Sequence, residues 1–121
     1  ILRKKVDVAL IGADRIAANA DTANKIGSLS VALACYEAKI PFLVVAPEST
    51  IDLSTKSGDS IEIELRNDSE ILEFNGKRVA PLESRGYNPA FDVTPAKYIS
   101  AIVTELGVIE VSKGETPEKR K

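Results

Sequence analysis

Hydrophobic and polar positions divide the chain into a short series of elements. Residues Val6 to Ile11 read Val-Asp-Val-Ala-Leu-Ile, an apolar run rich in strand formers that Gly12 ends. Runs of this kind suit strands buried on both faces, as in parallel sheets. A polar loop, Asp14 to Asp21, follows. From Thr22 to Lys39 the apolar residues Ile26, Leu29, Leu33 and Tyr36 recur at three- and four-residue steps, which predicts a helix. Asp21 or Thr22 is its expected N-cap, and Ile40-Pro41 its stop. Phe42 to Ala46 is a second buried-strand run, closed by Pro47. Strand, helix, strand in so short a stretch predicts a βαβ unit with a right-handed crossover.

The middle is less regular. Ser49 to Asp59 reads as a polar loop, and Ile61 to Leu65 alternates like a half-exposed strand. Asn67 or Asp68 caps a short helix through Leu72, and Asn75-Gly76 signals a tight turn. Asn88 to Val93 reads as a packed loop. Thr94-Pro95 then predicts a helix start, with Tyr98, Ile99, Ile102, Val103 and Leu106 as its apolar face. Gly107 ends that helix, Val108 to Val111 forms a last strand, and Ser112 to Lys121 is a charged, frayed tail. The predicted class is α/β, a Rossmann-like open, mostly parallel sheet with flanking helices. Ligands bind such sheets beyond the carboxyl ends of the strands, where the loops Gly12 to Ala23 and Pro47 to Asp59 emerge.

Composition narrows the chemistry. The 121 residues suit one domain. There is no His, Met or Trp, and one Cys. Without His, a Ser-His-Asp triad and most zinc sites are excluded within this chain. One Cys excludes a disulfide framework. Absent Met, and with Ile1 leading almost directly into a strand, the chain is expected to be a piece of something longer. A net charge of -2 argues against a nucleic-acid surface, which needs a basic field. Apolar runs too short to span a bilayer, and no signal-peptide pattern at the start, make a cytoplasmic location the default expectation, with no membrane partner.

Candidate chemistry concentrates in Gly12 to Gly27, which places Asp14, Arg15, Asn19, Asp21, Asn24 and Lys25 between a strand and a helix. Asp14 follows the strand end, where a side chain can enter a crevice and exchange protons if burial disfavours its charged form. The alternatives are a helix cap or a structural partner for Arg15. Asn24 and Lys25 are expected in the first helical turn, where free N–H groups and the dipole favour phosphate, with Asp21 as an acid answering Lys25. The run is neither a Gly-x-Gly-x-x-Gly nor a Walker loop. Cys35 reads as a small packing residue, Ser49 and Thr50 as ligand hydrogen-bonders or turn formers, and Asp92 as a structural acceptor for loop amides.

Several strings carry a resemblance. Ile11 to Asn19, Asp21, Ala23 to Gly27, Ala46-Pro47, Ser49 to Asp52 and Tyr87 to Pro95 closely resemble the methylthioribose-1-phosphate isomerases. That superfamily also holds ribose-1,5-bisphosphate isomerases and the alpha, beta and delta regulatory subunits of translation initiation factor two-B. The resemblance runs to about Val111. It implies residues 1–111 as the C-terminal Rossmann-like domain of a longer protein, with 112–121 as a charged tail. It makes Asp14 the catalytic aspartate and Asn24 with Lys25 substrate contacts, and it implies no cofactor or metal. The implied reaction turns 5-methylthioribose 1-phosphate into 5-methylthioribulose 1-phosphate, a step of methionine salvage. The alternatives are a non-catalytic regulatory subunit or a ribose-1,5-bisphosphate isomerase. The family's catalytic Cys, in a Thr-His-Cys-Asn-like stretch, and its phosphate-binding arginines lie in an N-terminal half that nothing here matches. That half and a sugar-phosphate substrate are the implied partners, with a homodimer as the implied assembly. The family usually has Gly where this chain has Ala20. If that position requires φ > 0, Ala costs about 1 kcal/mol.

Overall fold

The computed structural model describes residues 1–3 and 5–120. Two four-stranded sheets organise it. In the first, β1 (Ala9–Ile11), β4 (Phe42–Val45) and β9 (Ala101–Thr104) run parallel, and β10 (Gly107–Ile109) closes the row antiparallel. In the second, β2 (Arg15–Ala17) lies between β5 (Ile51–Asp52), to which it is parallel, and β3 (Thr22–Lys25), to which it is antiparallel. β8 (Phe91–Thr94) adds antiparallel to β3. The fold is α/β with two open sheets: the first is mostly parallel, as the apolar runs predict, and the second is mostly antiparallel.

The helix α1 (Ser28–Ala38) crosses from β3 back to β4. It starts later than its apolar spacing predicts, because Thr22–Lys25 pairs on both edges with β2 and β8. Its buried face is Ser28, Ala32, Cys35 and Ala38, while Leu33 and Tyr36 point outward. The large apolar residues that suggested the helix are therefore not the ones it packs with. Small side chains let its backbone settle close to the sheet, against Phe42, Val44 and Ile102. Phe42, Val44 and Ile102 are fully buried, each worth about 1.5–3 kcal/mol relative to exposure. The other face of the first sheet is apolar but open: Leu10, Val45 and Val108 are all exposed.

The expected helix from Thr94 to Leu106 does not form. Thr94 ends β8, Ala96–Tyr98 makes one 3-10 turn, and Ala101–Thr104 is the strand β9. Ile99, Ile102, Val103 and Thr104 are β-branched, which suits a strand lying between two others. Their three- and four-residue spacing arises because a turn and a strand follow each other. Gly107, at φ +135°, opens β10 after the turn. Ile61 to Leu65 alternates in burial but is not a strand of either sheet; Leu65 makes an isolated antiparallel bridge to Pro89. The short helix α2 (Ser69–Leu72) forms after Asp68, and β6 (Glu73–Phe74) and β7 (Lys77–Arg78) make the hairpin that Asn75-Gly76 announces. Both turn residues have positive φ, +52° and +74°.

The tail is less free than its charge suggests, although Lys121 lies outside the described residues. The Glu118 N–H donates to the Ala18 carbonyl at 3.3 Å, and the Arg120 guanidinium pairs with Glu48. Arg120 holds the Glu48 carboxyl below the usual carboxylate range, burial opposes this, and the Thr104 hydroxyl adds a further downward pull. A carboxyl lowered in the folded state contributes its full stability above the unfolded carboxyl range and loses it as pH falls through the folded value. Glu48→Gln should therefore lower the stability read from urea unfolding at neutral pH, by no more than about 1 kcal/mol, with the gap closing as pH falls below the usual carboxylate range.

Candidate active site

The functional stretch begins where β1 ends. Asp14 lies three residues past Ile11, and its backbone N–H donates to the Ala23 carbonyl at 2.8 Å. That bond sets Asp14 at the mouth of the β2–β3 hairpin, next to Asn24. Asp14 is exposed. Neither structural role open to it is filled. Arg15 instead pairs with Asp52 at 3.0 Å, and the amide-binding carboxylate at the start of α1 belongs to Asp92. Among the described residues, no donor is bonded to the Asp14 carboxylate.

Asn24 and Lys25 are on β3, not in the first turn of α1. Successive strand residues leave on opposite faces, so the two side chains diverge. Asn24 donates from Nδ2 to the Ser28 hydroxyl at 3.0 Å. Lys25 is exposed and pairs in register with Phe91. It lies near Glu70, whose carboxyl is lowered first by hydrogen bonds from Arg66 and last by the Lys25 charge.

The predicted phosphate position at the helix start is already filled by a protein anion. Asp92 Oδ2 accepts from the Gly27 N–H at 2.8 Å, and Oδ1 accepts from the Leu29 N–H at 3.1 Å. Its negative charge also answers the positive end of the helix dipole. Gly27 sits at φ +107°, a turn that lets β3 pass into α1. Asp92 is a structural acceptor, as the loop suggested, but its donors lie more than sixty residues away. No local sequence signal identifies such a partner.

Asp21 does not answer Lys25. Its Oδ1 accepts from the Ala96 N–H at 2.8 Å, and its Oδ2 accepts from the Gly58 N–H at 2.9 Å and from Asn19 Nδ2 at 3.0 Å. Gly58 must approach this closely. A Cβ there would lie 2.5 Å from the Val93 side chain and 3.2 Å from Asp21. Between them, Ala20 is fully buried at φ +82°, so the position does require the conformation for which Gly is suited. Asp52 is lowered by hydroxyl bonds from Ser54 and then Thr55, by the Ser54 amide, and by the Arg15 charge. It fixes the loop after β5.

Cys35 is fully buried in the core, and burial pushes its thiol upward, away from the reactive thiolate. Ser49 and Thr50 form a 3-10 turn in which the Thr50 N–H donates to the Pro47 carbonyl. A cavity of about 620 Å³ lies at the opposite end of the sheet, among Cys35, Ile40, Pro41 and Tyr98. Asp14, Asn24 and Lys25 do not line it. A second hollow of about 440 Å³ lies at the carboxyl ends of β4 and β9, between Ala46 and Thr104. This is the end at which open α/β sheets bind ligands.

These features define an α/β open-sheet protein in which Asp14, Asn24 and Lys25 lie on or beside one hairpin, with the Asn24 and Lys25 side chains leaving β3 on opposite faces. The chain belongs to the Initiation factor 2 subunit family, which residues 1–111 match. It is 58% identical over 105 residues to the methylthioribose-1-phosphate isomerase of Geotalea uraniireducens, covering 87% of this chain and 30% of that protein. It is 50% identical over 119 residues to the isomerase of the same name from Pelotomaculum thermopropionicum, covering 98% and 33%. Among solved structures, 5-methylthioribose 1-phosphate isomerase from Pyrococcus horikoshii superposes with a TM-score of 0.83 at 50% identity, covering 89% of this chain and 30% of that one. The delta subunit of translation initiation factor eIF-2B from A. fulgidus superposes at 0.81 and 39%, covering 90% and 32%. The chain thus spans 30–33% of the length of these two curated relatives.

Removing the Asp92 carboxylate should loosen the β3–α1 corner. Asp92→Ala is expected to cost about 1–2 kcal/mol, in the range of a lost helix cap, read as a lower urea midpoint. Asp92→Asn should recover part of that loss.

Proposed function

We propose that this chain forms part of an isomerase that converts 5-methylthioribose 1-phosphate to 5-methylthioribulose 1-phosphate, a step of methionine salvage. The observation that carries the reading is Asp14. Its backbone is tied beside Asn24, and its carboxylate is used neither as a helix cap nor as a partner for Arg15. The 58% identity to an isomerase of that name supports the same substrate.

The reaction moves a hydrogen from C2 to C1, and the phosphate on the anomeric oxygen blocks spontaneous ring opening. A positioned acid must therefore help to open the ring. Asp14 would supply or shuttle that proton, and Asn24 and Lys25 would hold the sugar and its phosphate. Proton transfer of this kind works best in a site closed to water, yet Asp14 and Lys25 are exposed here. Further protein must cover them. The open apolar face around Leu10, Val45 and Val108 fits the same need, because parallel strands are normally buried on both sides. The remainder of a longer polypeptide, an N-terminal half carrying the catalytic Cys and the phosphate-binding arginines, is the proposed occupant, in a homodimeric, cytoplasmic enzyme.

A second reading, a non-catalytic regulatory subunit, draws on the superposition with the delta subunit of eIF-2B. A regulatory subunit has no need of an unpaired acid at this strand end, and the Asp14 carboxylate favours the enzyme.

In a coupled assay of the complete polypeptide, Asp14→Asn should lower kcat by about 10²-fold or more with folding unchanged, as expected for a lost general acid. Unchanged turnover would remove the role assigned to Asp14. Assaying ribose 1,5-bisphosphate in parallel separates the two sugar-phosphate substrates. The 121-residue chain alone is expected to give no turnover in the same assay.

A further inference from the structure

Ser28 is the first residue of α1 and is buried. Its hydroxyl donates to the Lys25 carbonyl at 2.8 Å. A serine hydroxyl has a single proton to give. With that proton committed, Ser28 Oγ can only accept in its 3.0 Å contact with Asn24. The amide end facing it must therefore be Nδ2. The two ends of an asparagine amide are nearly alike in shape, and here the hydroxyl's chemistry tells them apart. Oδ1 lies on the other side of the amide, and among the described residues no donor is bonded to it.

The corner that holds this pair is rigidly placed. Asp92 bonds the Gly27 and Leu29 amides, one on each side of Ser28, and it is also the register partner of Asn24 across β3 and β8. The orientation of Asn24 is thus set by two residues that need not touch a ligand themselves.

We propose that Ser28 is a positioning residue that turns the Asn24 amide so that Oδ1 is free for a ligand donor, and that Asn24 therefore reads a sugar hydroxyl rather than the phosphate. The proposal rests on the sugar-phosphate reading above and divides the work between its two contact residues. A phosphate near neutral pH presents acceptor oxygens and offers little to Oδ1, whereas a sugar hydroxyl can donate to it. The exposed Lys25 ammonium carries three donors and suits the phosphate.

The test compares Ser28→Ala and Ser28→Thr with the parent in the complete polypeptide, using 5-methylthioribose 1-phosphate as substrate and inorganic phosphate as a competitive inhibitor. Ser28→Ala should raise KM about tenfold with kcat changed less than about threefold, the size of one misdirected hydrogen bond. The inhibition constant for phosphate should stay unchanged, and Ser28→Thr, which keeps the hydroxyl, should restore KM. A merely structural role would lower the active fraction, and so kcat, without moving KM. An unchanged KM, or an inhibition constant that rises in step with KM, overturns the proposal. A crystal structure of Ser28→Ala decides the orientation independently of turnover. An Asn24 amide that keeps its parental position overturns the proposal, and a rotated one supports it. Absence of turnover by the parent protein would remove the isomerase reading alone.

Discussion

Two aspartates clamp one strand pair from opposite ends, and the functional corner of the molecule depends on that clamp. β3 and β8 pair over four residues, Thr22 to Lys25 against Phe91 to Thr94. Asp21, just before β3, binds the Ala96 amide just after β8. Asp92, within β8, binds the Gly27 and Leu29 amides just after β3. Each strand thus supplies the carboxylate that fixes the exit of the other. Bonds of this charged type are about twice as strong as neutral ones, and loss of the carboxylate would leave amides without partners. Asp21 adds a third segment by accepting from Gly58, where only glycine avoids Val93.

The clamp also decides where chemistry can occur. Because Asp92 occupies the amides at the start of α1, that helix end does not offer them to a ligand phosphate. Because Arg15 is held by Asp52, Asp14 keeps its carboxylate uncommitted. The groups that the proposed function assigns to substrate, the Asp14 carboxylate, the Asn24 carbonyl oxygen and the Lys25 ammonium, are carried on or beside one hairpin. The arrangement is open to water on its own. Under the proposed isomerase reading, an acid delivering a proton to a sugar ring would gain from enclosure, which fits an arrangement forming one side of a cleft.

The helix α1 illustrates a second consequence of packing. Its buried residues are Ser28, Ala32, Cys35 and Ala38, all small, while Leu33 and Tyr36 face outward. Close approach of helix to sheet excludes large side chains from that seam, and dense packing there rewards small ones. Apolar spacing therefore located the helix but pointed to the wrong face. The same substitution of small for large makes Cys35 a packing residue with a raised thiol rather than a nucleophile.

Local residue order alone determined a good deal. The apolar runs Val6 to Ile11 and Phe42 to Ala46 contain the parallel strands β1 and β4, because nearly continuous apolar runs suit the strands of parallel sheets. Asn75-Gly76 became a hairpin, because both positions need positive φ. The string from Ile11 to Gly27 placed the chain in its family and singled out Asp14, Asn24 and Lys25. Tertiary structure alone decided that Thr22–Lys25 and Ala101–Thr104 are strands, since each gains its ladder from partners distant in the chain. It alone decided that Asp92 and Asp21 serve as clamps, since their donors lie up to 75 residues away. Periodicity records which neighbours along the chain share a face. Hydrogen-bond partners across the fold follow from the packing of the whole, and here that packing determines how the candidate site is arranged.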